Sequence, residues 1–327
     1  MIDRVGCVVT GAAGFIGRHL ATQLAAAGYA VRAVDVKPRS EELERPAISY
    51  FRIDLREPGA LGEILDGAHT VFHLASTHLE VGATVEEFEA VNVRATEALV
   101  ELCAQTGVRR LVHTSSVGIY GHVADPPARE ESPKNPQTPY ERSKLAGEMA
   151  ALKRAGETGL WIVVLRPTWV YGPGCPRTAK LLRAIRTGRF FYVGDGSNLR
   201  HPLYIGEMIN AFQVACAAPE GANGRAYIIG GPETLALRTL VETCAAELEV
   251  APPALRVPRP LARGIGLMME RGFALAGRQP PFSRRSLAFF ENDNAFDIGR
   301  ASRELGFKPR VSFAEGIRRT IDAMSER

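Results

Sequence analysis

The 327-residue chain has few of the residues that would tie a fold together covalently or through metal. Its five cysteines (Cys7, Cys103, Cys175, Cys216 and Cys244) are odd in number and widely spaced, with no Cys-x-x-Cys and no histidine at ligand spacing. A disulfide framework and a zinc site are therefore set aside, no metal is expected, and reduced thiols in a cytoplasmic protein fit best. Long runs of one charge are also missing. Forty Lys and Arg are interspersed with 36 Asp and Glu for a net charge of +4, which leaves no basic footprint for nucleic acid. Long hydrophobic runs are absent too. Val5 to Thr10 is too short for a signal-peptide core, and Pro258 to Gly277 is interrupted by Arg263, Glu270 and Arg271. That second stretch cannot span a membrane and reads instead as an amphipathic surface or lid helix. No internal repeat or low-complexity tract appears.

What is present is an alternation of short β-branched runs with helical patterns, the sequence form of a parallel sheet covered by helices. Strands are expected at Val5 to Thr10, Ala30 to Asp35, Ile48 to Ile53, Thr70 to Leu74, Arg110 to Thr114 and Trp161 to Leu165. Helices are expected at Phe15 to Ala27, Leu61 to Leu65, Val85 to Gln105 and Tyr140 to Ala155. The fold class is thus α/β, a Rossmann-type doubly wound parallel sheet. Past Arg166-Pro167 the pattern becomes irregular, so residues 1–170 read as a dinucleotide-binding domain and 171–327 as a smaller, mixed substrate lobe with some chain returning to the sheet. Phe296 to Met324 reads as a helix, a turn at Gly306 to Pro309, and a closing amphipathic helix with Phe313, Ile317, Thr320 and Ile321 on one face.

The first strand runs into Gly11-x-x-Gly14-x-x-Gly17 and at once into an apolar-periodic helix. Glycines there permit a tight turn, close approach of backbone N–H groups to a pyrophosphate, and close helix packing, while the helix N-terminus adds partial positive charge. Asp35 ends the second strand 18 residues beyond Gly17. That is close to the spacing of about 20 expected for a carboxylate that binds an adenosine ribose. A carboxylate would accept from a 2′-hydroxyl and repel a 2′-phosphate, so NAD is favoured, while Arg39 nearby keeps NADP open. Asp54-Leu55 is placed either to meet an adenine edge or simply to cap a turn.

Tyr140 and Lys144 stand one helical turn apart on one face. A phenol is a poor acid or base at neutrality, and a neighbouring cation is expected to lower its pKa. Upstream, Thr114-Ser115-Ser116 follows the fifth strand, on the side of the sheet where doubly wound proteins bind ligands. A serine hydroxyl there suits a carbonyl or developing alkoxide while the tyrosine moves the proton.

Together with His73-Leu74-Ala75, Asn92-Val93-Arg94-Ala95-Thr96, Thr114 to Gly121 and Leu165-Arg166-Pro167-x-x-Val170-Tyr171-Gly172-Pro173-Gly174, these motifs make the whole chain resemble an extended short-chain dehydrogenase/reductase of the NAD-dependent epimerase and dehydratase superfamily. The resemblance implies that Ser116 orients substrate, that Tyr140 is the general acid/base, and that Lys144 holds the nicotinamide ribose and tunes the tyrosine. It places Gly11, Ala13, Gly14, Phe15, Ile16, Gly17, Asp35, Asp54, Leu55, Leu74, Ala75, Ser76, Asn92, Thr114, Pro167 and Val170 around the cofactor. Thr77, Ser116, Gly118, Trp169, Arg200 and His201 then face a small-molecule substrate. It also implies a homodimer in which Val85 to Gln105 and Tyr140 to Ala155 form a four-helix bundle.

Departures from the subclasses narrow the chemistry. Val117-Gly118 stands where similar dehydratases carry an acidic pair, and Trp169 where nucleotide-sugar epimerases usually carry asparagine. The stretches Asn198 to Ile205 and Pro280 to Arg310 are similar to 3β-hydroxysteroid dehydrogenase-like members. An NAD-dependent interconversion of a secondary alcohol and a ketone on an apolar or small carbonyl substrate is therefore expected, with a nucleotide-sugar 4-epimerase as the competing reading and a non-catalytic cofactor sensor as a remoter one. Arg200 could clamp a diphosphate or be a surface arginine, and His201 could pack or touch substrate.

Overall fold

The computed structural model describes residues 6–57, 59, 61–78, 83–275 and 284–325. Six strands alternate with helices in the first half: β1 Gly6–Thr10, β2 Ala30–Asp35, β3 Ile48–Arg52, β4 Thr70–His73, β5 Arg110–Thr114 and β6 Trp161–Pro167. A later strand, Arg225–Ile229, pairs in parallel with β6 and completes a seven-stranded sheet of order 3-2-1-4-5-6 plus this seventh strand. Every pairing in the sheet is parallel.

Both faces of the sheet are covered, and the strand period of two sorts the side chains between them. Val9, Ala33, Phe72, Val112 and Val163 face one side. There they pack against α1 (Phe15–Ala26) and a helix at Ile205–Cys216 that supplies Met208, Ile209 and Phe212. Val8, Val34, Val71, Leu111, Ile162 and Val164 face the other. They meet α2 (Leu61–Leu65), the helix Ala95–Gln105 and the helix Pro139–Thr158. All seven residues of β6 are buried, as a strand covered on both faces requires.

The helix expected over Val85 to Gln105 is broken in a telling way. It runs as α3 (Val85–Glu89), a π turn (Ala90–Arg94) and α4 (Ala95–Gln105). Such turns often sit at functional sites, and this one carries Asn92. The helix that carries Tyr140 and Lys144, α5 (Pro139–Thr158), opens with a capping box between Thr138 and Glu141, has proline in its first turn, and is followed by Gly159 at φ +74°. These are strong start and stop signals for the segment that carries Tyr140 and Lys144.

The second half is irregular, as expected, but it is threaded into the first. It contributes the seventh strand and the helix that packs on α1. A separate core forms around Tyr171, Leu182, Tyr192, Leu240 and Phe313. Phe296 is not helical: it forms an isolated bridge with Ala128, and the helix begins at Gly299 and ends at Glu304. The closing helix, Phe313–Ser325, buries Phe313, Ile317 and Thr320. An amphipathic helix covers Arg259–Leu275. Part of the Pro280 to Leu287 similarity lies outside the described residues.

Candidate active site

The C-terminal ends of β1, β2, β4, β5 and β6 converge on one edge of the sheet. At β1 the glycine loop turns with Gly11 at φ +71°. A Cβ on Gly11 would lie 2.6 Å from the Ala75 nitrogen, and one on Gly17 would lie 2.1 Å from the Gly11 carbonyl oxygen. Only glycine permits this approach of helix, loop and β4. α1 begins at Gly14 without a side-chain cap. The first-turn amides of Phe15, Ile16 and Gly17 therefore point outward from a positive helix end, which suits a pyrophosphate. Asp35 Oδ2 accepts from the Ala13 amide at 2.8 Å and Oδ1 from the Lys37 amide at 2.9 Å. The acid is thus fixed against the loop, with lone pairs remaining for ribose hydroxyls.

Asp54 behaves as the turn residue. Its carboxylate is gripped by the Arg56 side chain and backbone, which hold its pKa below the usual range. Leu55 is buried in the core on the α2 side of the sheet.

At the end of β4 a directional chain of hydrogen bonds sets the pocket wall. The Leu74 and Ala75 amides donate to Thr10 Oγ1, which donates to His73 Nδ1 at 2.7 Å. His73 Nε2 donates to Thr96 Oγ1 at 3.0 Å, and Thr96 donates to the Asn92 carbonyl. Burial drives His73 down to about 3, so it stays neutral and can keep this tautomer. The Asn92 side chain accepts from the Thr77 amide at 2.9 Å and donates to the Thr77 carbonyl at 3.1 Å and to Ser143 Oγ at 2.8 Å. Ser143 in turn donates to the Tyr140 carbonyl. Asn92 therefore clamps the β4 loop to the helix that carries Tyr140. Ser76 turns its hydroxyl to the Thr77 carbonyl.

Ser116 caps a short 3₁₀ turn, Val117–Tyr120, by accepting from the Gly118 amide at 3.0 Å, and its hydroxyl is within hydrogen-bonding reach of the Tyr140 phenol. Gly118 leaves room for Glu141, whose Cγ would lie 3.1 Å from a Cβ there. Lys144 is buried and donates to the Thr114 carbonyl at 2.7 Å. Ser116, Tyr140, Lys144 and Thr114 are thus brought together. Desolvation lowers Lys144 to about 8, and Glu148, one turn further along, opposes that fall. Tyr140 goes the other way from the sequence expectation. Burial raises it to about 12, outweighing Arg177 and Ser116, both of which favour the phenolate. Lys144 is engaged by Thr114 rather than by the phenol.

The model of the family described as NAD dependent epimerase/dehydratase matches residues 7–230, which span the glycine loop, the Ser116–Tyr140–Lys144 cluster and the seventh strand. The chain belongs to this family. Its similarities within the family divide between chemistries. A 3beta-hydroxysteroid-dehydrogenase/decarboxylase isoform 1 of Arabidopsis thaliana is 29% identical over 98% of this chain and 79% of its own length. A UDP-glucose 4-epimerase of Mycolicibacterium smegmatis is 31% identical over 96% of this chain and 97% of its own length. Among solved structures, MoeE5 in complex with UDP-glucuronic acid and NAD superposes with a TM-score of 0.79 at 28% identity, covering 98% of this chain and 99% of the other.

The remaining expected site residues do not all gather at the phenol. Pro167 ends β6 in the core, and Val170 is half-buried against the core on the α1 side of the sheet. Trp169 packs on Tyr171 at 6.0 Å and Phe313 at 6.5 Å between ring centroids, so it is built into the second core. His201 is buried and donates from Nε2 to the Gly231 carbonyl at 2.9 Å. A Cβ on Gly230 would lie 2.5 Å from that ring, which marks His201 as packing. Arg200 is not a surface arginine. It is 4% exposed, with its guanidinium 4.6 Å from the Phe289 ring centroid and the Asp293 charge nearby.

Two neighbours of Tyr140 carried no sequence signal. The His78 ring meets it edge-on at 4.7 Å and the Phe88 ring at 6.2 Å. Among the described residues no cluster of three or more His, Cys, Asp or Glu could hold a metal, and no helix is long and apolar enough to cross a membrane.

Proposed function

We propose that this enzyme interconverts a secondary alcohol and a ketone on a largely apolar substrate, with NAD as the redox partner. The carrying observation is the burial of Arg200 against Phe289 under the 289–294 segment. That segment is pinned by Asn198 to the carbonyl of Phe289 and by the Leu199 amide to Asp293. The arginine best suited to clamp a diphosphate is thereby committed to the protein interior. Phe289 against the guanidinium and Phe290 beside it in the chain offer apolar surface and no partner for a phosphate.

The uncapped α1 N-terminus, Gly11, Gly14, Gly17 and Asp35 fit a dinucleotide. NAD held by these residues would supply the hydride acceptor. The chain's own part is the proton and the orientation. Ser116 donates to the substrate oxygen and holds it against Tyr140. Tyr140 takes the hydroxyl proton as the carbonyl forms, and returns it in the reverse direction. Lys144, poised near neutrality and anchored on Thr114, supplies the charge that stabilises the phenolate as it forms. Domain roles follow: the sheet half holds the cofactor and the proton chemistry, and the irregular half selects the substrate. We propose further that α4 and α5 pair with a second copy to form a homodimer. Met149 on α5 is 62% exposed.

The deciding experiment incubates purified protein and NAD with apolar secondary alcohols and, separately, with UDP-glucose. Net NADH from the alcohols supports the reading. Sugar inversion without net NADH would replace it with a 4-epimerase.

A further inference from the structure

α6 (Pro176–Arg186) opens directly after the Gly172-Pro173-Gly174 turn, and its cations recur at every third residue: Arg177, Lys180, Arg183 and Arg186, with Arg189 just beyond. No Asp or Glu stands between Glu157 and Asp195. Without these five, the remaining 35 Lys and Arg fall one short of the 36 Asp and Glu, so the net charge of +4 belongs to this one stretch. The helix buries Thr178, Leu182 and Ile185, the last two in the second core, and all five cations are exposed. Arg177 is engaged: its guanidinium donates to Nε2 of His78, whose ring meets Tyr140 edge-on. Lys180, Arg183, Arg186 and Arg189 form no ion pair among the described residues. Cations on other long helices are neutralised locally. On α5, Lys153 and Arg154 both reach Glu157, and on the closing helix Arg318 and Arg319 share Glu315. The negative end of the helix dipole accounts for Arg183 and Arg186 in the last turn. It does not account for Lys180, which precedes that turn, or for Arg189, which follows the helix.

We propose that this face of α6 docks a small acidic protein, one of whose helices lays its carboxylates along Lys180, Arg183, Arg186 and Arg189. The proposal does not depend on which substrate the enzyme takes. From Lys180 to Arg186 the stripe covers about 9 Å of helix axis, more than a single phosphate or carboxylate group can meet, so the complementary charge is extended. A helix with acids at three- and four-residue steps presents them on one face at the same rise. Nucleic acid fits less well: proteins that bind it strongly make about six to ten phosphate contacts, whereas α6 and its flank offer four free cations and the rest of the chain has no positive excess. A bilayer fits less well too. Interfacial helices insert apolar side chains, and here Leu182 and Ile185 are buried and Leu181 is half-buried. Charge complementarity of this kind speeds encounter and fixes register. Because Arg177 of the same helix reaches Tyr140 through His78, a protein docked on α6 lies beside the Ser116–Tyr140–Lys144 cluster.

Fluorescence anisotropy with a labelled alanine-based helical peptide, carrying glutamate at every third or fourth residue, tests this on the intact protein. Wild type is expected to bind the glutamate peptide and not its glutamine counterpart. In Lys180→Gln/Arg183→Gln/Arg186→Gln the affinity should fall about 30-fold or more, and in wild type it should fall about tenfold between 50 and 300 mM salt. Charge reversal guards against a folding defect: Lys180→Glu/Arg183→Glu/Arg186→Glu should bind the lysine counterpart of the peptide, which wild type does not. Equal affinity of wild type for the glutamate and glutamine peptides, or an affinity unchanged in the glutamine triple variant, overturns the proposal. So does tighter binding, through the same residues, of a DNA duplex or of vesicles made from equal parts of phosphatidylglycerol and phosphatidylcholine.

Discussion

Replacing Glu148 by glutamine should weaken the whole molecule and, separately, shift the titration of Lys144. Glu148 lies on α5 one turn beyond Lys144, and Arg166 lies in β6. They meet in a bidentate pair at 2.5 and 3.0 Å, with the side chains 3% and 5% exposed. Arg166 also donates to Tyr120 Oη at 2.6 Å and to the Glu130 carbonyl at 3.1 Å. The pair fixes α5 to the sheet. Removing one charge leaves the other buried without its partner, at a cost of about 3–5 kcal/mol. With an unfolding entropy of about 2.1 cal/mol/K per residue over 327 residues, the melting temperature should fall by roughly 4–7 °C. Because Glu148 opposes the downward shift of Lys144, the lysine should also lose its proton at lower pH than in wild type.

Differential scanning calorimetry of Glu148→Gln, Arg166→Met and the double variant Glu148→Leu/Arg166→Met reads the first effect, and the pH profile of alcohol oxidation reads the second. The double variant should recover at least half of the loss, since it buries no isolated charge. A fall of under 1 °C in Glu148→Gln, or a double variant that loses the sum of the two singles, would refute the reasoning.

Three further outcomes are expected. For wild type, kcat/KM for oxidation should rise with pH up to about 8 as the Tyr140 phenolate becomes populated and level off above it, where Lys144 loses the charge that stabilises that phenolate, and kcat/KM for reduction should fall above about 8 for the same loss. A flat profile from pH 6 to 10 would remove the relay. Gly17→Ala should lose at least 100-fold in NAD affinity by fluorescence titration, because its Cβ would sit 2.1 Å from the Gly11 oxygen; unchanged affinity would mean the loop can relax. Met149→Glu should convert a dimer to a monomer in light scattering at micromolar concentration, whereas a monomeric wild type would dismiss the proposed dimer.

The parts of this enzyme visible in its sequence are those encoded locally. The glycine loop, Asp35 and the Tyr140–Lys144 spacing each lie within one βα unit or one helical turn, so spacing alone fixes their geometry. The parts that were hidden depend on distant packing. A return of chain from the second half to the sheet is expected from the sequence, but its place is not: residues 225–229 join β6 as the seventh strand only once that half has folded back. The π turn that aims Asn92 at Thr77 and Ser143 lies inside an otherwise ordinary helical pattern. Trp169 was read as a pocket wall from its place in a motif, yet Tyr171 and Phe313 draw it into a core. Asp54 and Leu55 went to Arg56 and to the sheet's apolar face. The sign of the Tyr140 shift was missed for a physical reason: counting charges along a helix omits desolvation, which here is the larger effect.

The most direct test of the central claim is the rate of NADH formation from an apolar secondary alcohol by wild type and by Tyr140→Phe, with NAD affinity measured on both. The account predicts affinity within about threefold of wild type and a kcat lower by 10²–10⁴, roughly the contribution of a positioned acid/base. A Tyr140→Phe enzyme that keeps a tenth or more of the wild-type rate would contradict it.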